Sequence, residues 1–230
     1  MNHAGLVRLS FYCLLNLLLI FCSASTAAAQ SPSPPPHADT QSWNDLQFTV
    51  PLNKEIDMIL LGTLRIGRNV THPVDERVGV NFKFNVGKYL TLTPGYLYIR
   101  MQPVAGRNDR ENRLSFAVTP RIPFKRFTLT DRNLFERRIR SPQVDATRYR
   151  NRLQIEVPFK PKNSKWLFFA SDEIFYDWSV NDWVRNRFAV GVRKTFNKRL
   201  AVDFYYLRQN DGRSRPGDLN VIGTVFRVSR

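Results

Sequence analysis

The chain has almost none of the residues on which most catalytic and metal chemistry depends. Both cysteines, Cys13 and Cys22, fall near the N-terminus, inside a segment that reads as an export signal. The mature chain would therefore have no thiol, no disulfide and no cysteine-based metal site. Beyond that segment the histidines are His37, close to a proline run, and His72, followed by Pro73. A Ser-His or Asp-His arrangement needs a histidine held among strand residues with a partner in reach. Histidine-built metal sites need a cluster. No glycine-rich loop of phosphate-cradling form is present. Adjacent carboxylates such as Asp172 and Glu173 fall on opposite faces of a strand and cannot cooperate. No catalytic, cofactor-binding or metal-binding residue is expected, no cofactor is implied, and the chain does not read as an enzyme.

Long apolar runs are also missing. The longest, Leu9 to Phe21, follows Arg8 and precedes the small-residue cleavage site Ala27-Ala28-Ala29. That is the order of a secretory signal peptide over residues 1–29. It is shorter than the ~20 residues of a membrane-spanning helix, and no later segment is apolar enough to be one. Cys22 could suggest lipid attachment, but Phe21 occupies the position before it, where a lipoprotein signal has a small residue. Residues 30–42, with Pro32, Pro34, Pro35 and Pro36, form an extended linker unable to join a sheet. Residues 43–230 then form one domain.

That domain alternates between charged and apolar residues. From Arg148 to Val157, even positions carry Arg148, Arg150, Arg152, Gln154 and Glu156, and odd positions carry Tyr149, Leu153, Ile155 and Val157. A period of two sorts them onto the two faces of a β-strand. Strands are expected near 43–51, 56–67, 77–86, 89–101, 111–122, 127–139, 147–158, 166–176, 183–196, 199–209 and 219–229. Short turns alternate with longer loops over 68–76, 102–110, 140–146, 177–182 and 210–218, as in outer-membrane barrels. The fold expected is all-β, a closed antiparallel up-and-down membrane β-barrel of about 10–12 strands. Because bacterial barrels have even strand numbers, residues 43–51 read as a periplasmic or lumenal segment, leaving ten strands; a hidden strand would make twelve.

Two aromatic girdles are expected. Tyr89, Phe124, Phe127, Phe159, Trp166 and Phe196 lie by the short turns. Tyr98, Phe135, Tyr149, Tyr176, Trp178, Trp183, Tyr205 and Tyr206 lie nearer the long loops. The formal charge of +16 could suggest nucleic acid, but no helix-borne basic stripe or recognition module is present. Lys54, Lys88, Lys125, Lys160, Lys162, Lys165 and Lys198 cluster at short turns, where amines meet lipid head groups. Membrane lipids are the expected partners, nucleic acid is not, and nothing points to an oligomeric state.

The strand-borne charges form the candidate site. Glu111, Arg113, Arg132, Glu136, Arg148, Arg150, Arg152, Glu156, Glu173, Arg185 and Arg187 share one face. They read as a lumen charge ladder, since guanidinium and carboxylate pair well and are costly alone in a narrow lumen. As a structural ladder they fill the barrel and fix strand register. As a functional lining they form a constriction favouring a small anionic solute. The structural reading is preferred, because about ten strands leave little open space.

The runs Asp131-Arg132-Asn133-Leu134-Phe135-Glu136-Arg137-Arg138, Tyr149-Arg150-Asn151-Arg152, Asp172-Glu173-Ile174-Phe175, Arg185-Asn186-Arg187 and Tyr206-Leu207-Arg208-Gln209 resemble a bacterial family of unassigned function, domain of unknown function 2490. The resemblance spans about Trp43 to the end and implies an exported β-barrel with arginine- and glutamate-bearing strands, with no assigned reaction. The ending Phe226-Arg227-Val228-Ser229-Arg230 departs from outer-membrane barrels that finish on an aromatic residue. The function expected is an outer-membrane barrel of unassigned role, either a structural or interaction barrel or a narrow arginine-lined pore. The alternatives are an anion-favouring channel and a soluble periplasmic β-barrel binding protein. The expected location is the bacterial outer membrane.

Overall fold

The computed structural model describes residues 36–160 and 164–230. The signal peptide, the linker as far as residue 35, and residues 161–163 with Lys162 lie outside the described residues. Eleven strands are present among the described residues: β1 Ala38–Pro51, β2 Ile56–Gly67, β3 His72–Val86, β4 Leu90–Met101, β5 Asp109–Pro123, β6 Thr128–Ser141, β7 Ala146–Pro158, β8 Trp166–Asp177, β9 Asp182–Thr195, β10 Leu200–Asn210 and β11 Asp218–Ser229. Each pairs with its sequence neighbour, and β1 pairs with β11 to close the barrel.

The closing seam departs from the even-number expectation. Residues 43–51 are neither plug nor periplasmic tail. They belong to β1, which begins at Ala38, inside the stretch expected to be linker. β1 runs parallel to β11, from Ala38 opposite Asp218 to Thr49 opposite Ser229. What an open edge requires is that its N–H and C=O groups be paired, and a parallel partner satisfies them as an antiparallel one does. Evenness follows only from antiparallel closure. Ten hairpins plus one parallel seam close the sheet at eleven.

The connections also differ from expectation. The segments read as long loops shrink to 68–71, 102–108, 142–145, 178–181 and 211–217, because the strands extend further toward that end. We call it the Ala38 mouth, and the opposite end, with turns such as 52–55 and 87–89, the Pro51 mouth. The outer face near the Ala38 mouth carries exposed Glu76, Arg100, Arg110 and Arg137. Below them lies a belt of outward apolar side chains, including Val78, Leu114, Ile155 and Ile222. On β6 to β9 the belt is interrupted by Asp131, Asn133, Asn151, Asp172 and Asn186. Asn151 and Asn133 donate to Asp131 at 2.6 and 3.1 Å, and Asn186 donates to Asp172 at 2.9 Å.

Inside, one cross-strand row sets the barrel's waist. Phe169 lies opposite Gly191, Gly191 opposite Tyr205, Tyr205 opposite Gly223, and Gly223 opposite Trp43. Large and absent side chains alternate across five strands, so each ring lies over the glycine beside it. A Cβ at Gly223 would run into the Tyr205 ring, and one at Gly191 would sit 2.6 Å from Phe169 Cζ. Tyr205 therefore points inward, not into the outer girdle, and packs against the buried cluster of Trp43, Ala189, Leu207, Leu219 and Val221.

At the Ala38 mouth, Arg68, Asn69 and Val70 all have positive φ, a costly conformation for a β-branched residue. Asp39 holds this turn by accepting from the backbone N–H groups of Arg68 and Asn69 at 2.9 and 2.8 Å. The glycine row makes a quantitative forecast. Gly223→Val should lower unfolding stability in urea by about 1–3 kcal/mol through overpacking. Gly212→Ala, where an added Cβ meets nothing, should stay within about 0.5 kcal/mol of the parent.

Candidate functional site

The charged lumen is built on β5 to β9. Alternation turns Glu111 and Arg113, then Arg132, Glu136 and Arg138, then Arg148, Arg150 and Arg152, then Glu173, then Arg185 and Arg187 toward the axis. Antiparallel register places Glu136 opposite Arg148 and Glu173 opposite both Arg152 and Arg187. Backbone pairing thus delivers acids to bases before any side chain chooses a rotamer.

Three glutamates serve as nodes. Glu111, fully buried, accepts from Arg113 Nε at 2.6 Å and from Arg138 Nε and Nη2 at 3.0 and 2.8 Å. Glu136 accepts from Arg148 Nε and Nη2 at 2.9 and 2.7 Å, from Arg150 Nη1 at 2.9 Å and from Arg113 Nη1 at 3.2 Å. Glu173 accepts from Arg132 Nη2 at 2.6 Å and Arg150 Nη2 at 2.8 Å, with Arg187 at 4.0 Å. Arg113 and Arg150 each bridge two glutamates, so the nodes form one connected network.

Arginine outnumbers its partners here. Beside the network, the Phe175 ring, fully buried, faces the guanidinium carbons of Arg150, Arg187, Arg148 and Arg185 at 4.6, 4.9, 5.1 and 5.4 Å. Trp43, 3% exposed, carries Arg65 at 3.6 Å and Arg187 at 4.9 Å. Aromatic faces accept guanidinium where carboxylates run out. The Nε atoms of Arg65, Arg132, Arg140 and Arg152 are buried with no hydrogen-bond partner among the described residues.

Not every expected member joins the network. Arg185 pairs with Asp211 of the 211–217 loop, Nε to Oδ2 at 2.7 Å, and with none of the expected glutamates. Glu156 sits apart toward the Pro51 mouth. There it accepts from Arg193 Nη1 at 3.3 Å, within a cluster in which Asp203 takes Arg193 Nε at 2.7 Å and Arg227 Nε at 3.0 Å. Arg152 has Glu173 opposite in register but makes no hydrogen bond through Nε. Arg187 is held by Gln209 Oε1 at 2.8 Å. Sequence reasoning missed Arg138, which shares parity with Glu136 and was legible by counting. It also missed Arg65, Arg77 with Asp75, Asp203 with Arg193 and Arg227, Trp43, and Asp211, whose roles depend on which strand lies alongside.

Above the waist the lumen opens into a cup of about 540 Å³ at the Ala38 mouth. Its wall includes Arg65, Arg77, Arg113, Arg138, Arg140, Arg148, Arg150, Arg185 and Arg187, and its aspartates are Asp75, Asp109, Asp177 and Asp211. Each of these carboxylates already has a partner: Arg77 for Asp75, Arg107 and Gln143 for Asp109, Ser179 for Asp177, and Arg185 for Asp211. Asp211 also fixes the rim. It accepts from Ser214 Oγ at 2.8 Å and from the backbone N–H groups of Arg213 and Ser214 at 2.8 and 2.9 Å. Burial pushes its carboxyl up, but the Arg185 guanidinium and these hydrogen bonds more than reverse this and hold it below the ordinary 3.8.

A family profile described as "Protein of unknown function (DUF2490)" matches residues 40–220. The chain belongs to that family. Among solved structures, an anion-selective porin from Comamonas acidovorans aligns at 10% identity with a TM-score of 0.39, covering 76% of this chain. The chain spans 54% of that porin's length. No curated protein matches the sequence.

Two measurements probe the site. Glu136→Ala removes an acceptor from three guanidiniums and leaves buried Arg148 with no carboxylate, and should cost about 3–5 kcal/mol, the scale for breaking a buried ion pair. Arg137→Ala, on the exposed outer face, should cost under about 1 kcal/mol. Urea unfolding of both variants separates the cases. The second concerns Asp211. A carboxyl lowered on folding stabilises the folded loop above its unfolded pKa, and that stabilisation is lost as pH falls through the lower folded value. A spin label at Gly212→Cys should report constant loop mobility from neutral pH down to about 3.8, then a rise. Mobilisation already near neutral pH would assign the rim to another group.

Proposed function

We propose that this protein is a bacterial outer-membrane β-barrel, closed at its waist, that acts as a structural and binding barrel with the Ala38 mouth as its working surface. The observation that carries this reading is the occupied interior. Where a diffusion pore would hold water, the waist holds Trp43, Tyr205 and Phe169, with Phe175 and the Glu111–Glu136–Glu173 network filling the lumen further along. The membrane assignment draws on the outer belt. Val78, Leu114 and Ile222 are 61%, 53% and 70% exposed, a large apolar surface that water tolerates poorly and a bilayer solvates. Exposed Tyr89, Phe124, Phe159, Trp166 and Phe196 ring the Pro51 mouth, as interfacial aromatics do. Membrane lipids are then the partners of this belt. The same belt disfavours a soluble periplasmic binding protein. No catalytic role is part of this reading.

A narrow arginine-lined anion pore is the second reading, and the excess of guanidinium over carboxylate in the lumen favours it. Planar-bilayer recording decides between the two. The purified protein should resist extraction from outer membranes by urea or carbonate and show no steady conductance. A steady anion-selective current would replace the closed barrel by the pore. Recovery as a soluble periplasmic monomer would remove the membrane assignment.

A further inference from the structure

We propose that the cup at the Ala38 mouth is a binding site for a phosphorylated small molecule, seated on the guanidinium groups of Arg65 and Arg187 beside Trp43. The argument begins with charge. Every aspartate of the cup is engaged by partners of this chain, and the glutamates below it are shared among several arginines. Arg187 is weakly neutralised. Its nearest carboxylate, Glu173, is 4.0 Å away and is taken more closely by Arg132 and Arg150. Its one hydrogen bond is to a neutral amide, Gln209 Oε1. Arg65 reaches Asp75 only at 3.4 Å, while Arg77 holds that carboxylate bidentately, and its buried Nε has no partner among the described residues. Both guanidiniums rest on the Trp43 ring, at 3.6 and 4.9 Å. Buried like charges with unused donors are costly, and an oxyanion relieves both costs together.

Geometry selects the anion class. Guanidinium forks match the paired oxygens of phosphate or carboxylate, and several forks converging from different strands suit the tetrahedral, multiply charged group better than the planar one. At about 540 Å³ the cup falls in the range of small-molecule sites and exceeds a bare phosphate. Gln143, Ser179 and Ser214 on its wall donate to Asp109, Asp177 and Asp211 and keep their oxygens as acceptors for the hydroxyls of an attached organic group. The cup is walled by β-strands and opens at the Ala38 mouth, so the ligand enters along the barrel axis.

The test is isothermal titration of the detergent-solubilised barrel with pyrophosphate and with glucose 6-phosphate, using glucose as the uncharged control and Trp43 fluorescence as a local readout. Both phosphates should bind, glucose should not, and the fluorescence change should vanish in Trp43→Phe. Arg187→Gln and Arg65→Gln should each weaken binding by about tenfold or more, the scale of a lost charged hydrogen bond. Arg227→Gln, at the opposite mouth, should leave it unchanged. Urea unfolding of each variant shows that the barrel is intact. Absence of binding, or equal weakening by Arg227→Gln, would overturn the site in favour of diffuse surface charge. Vesicles of phosphatidylglycerol distinguish the source of the phosphate: competition with pyrophosphate would assign the site to a lipid head group and overturn the small-molecule ligand. The inference goes beyond the closed-barrel reading and survives its failure. A conducting barrel that still binds pyrophosphate through Arg187 would lose that reading and keep this site.

Discussion

The structure depends on how a narrow lumen disposes of more guanidinium than carboxylate. Each buried arginine must find an acceptor, another arginine's acceptor, or a ring. Glu111, Glu136 and Glu173 are therefore each shared, and Arg113 and Arg150 tie them together. Sharing couples the strands: a shift of one residue between β6 and β7 would turn Arg148 and Arg150 outward and leave Glu136 facing Tyr149 or Thr147. The same demand explains why Phe175 and Trp43 lie against the arginines, where aliphatic residues would have offered no compensating face.

Packing completes what charge begins. The glycines at positions 191 and 223 let three rings fill the waist from alternate strands, and Trp43 does this directly at the closing seam. The apolar waist and the charged cup are thus neighbours through one residue, whose ring packs with Tyr205 and Val221 and also carries Arg65 and Arg187.

Much of this was legible as pattern. The period of two from Arg148 to Val157 is enough to separate arginine from leucine, and the β5 to β9 charges follow from it. Partner identity was not legible. Arg185 meets Asp211 because a loop folds back over β9, a contact no spacing encodes. Tyr205 looked like an interfacial aromatic from its place near a strand end, and its inward phase becomes clear only with Gly223 across from it. The strand number failed as an inference from parity because hydrogen-bond closure is indifferent to strand direction. Loop lengths were overestimated where strands such as β3 and β9 continue through polar residues beyond the apolar belt.

The parallel seam has a mechanical consequence. In a barrel closed by an antiparallel pair, the two chain ends leave side by side, and tension between them peels hydrogen bonds one after another. Here Ala38 and Ser229 stand at opposite mouths, and β1 and β11 are in register along the whole seam. Pulling the ends apart along the axis slides one strand against the other and loads every bond of the seam at once. The closing joint is therefore in shear, the direction in which a β-ladder yields last.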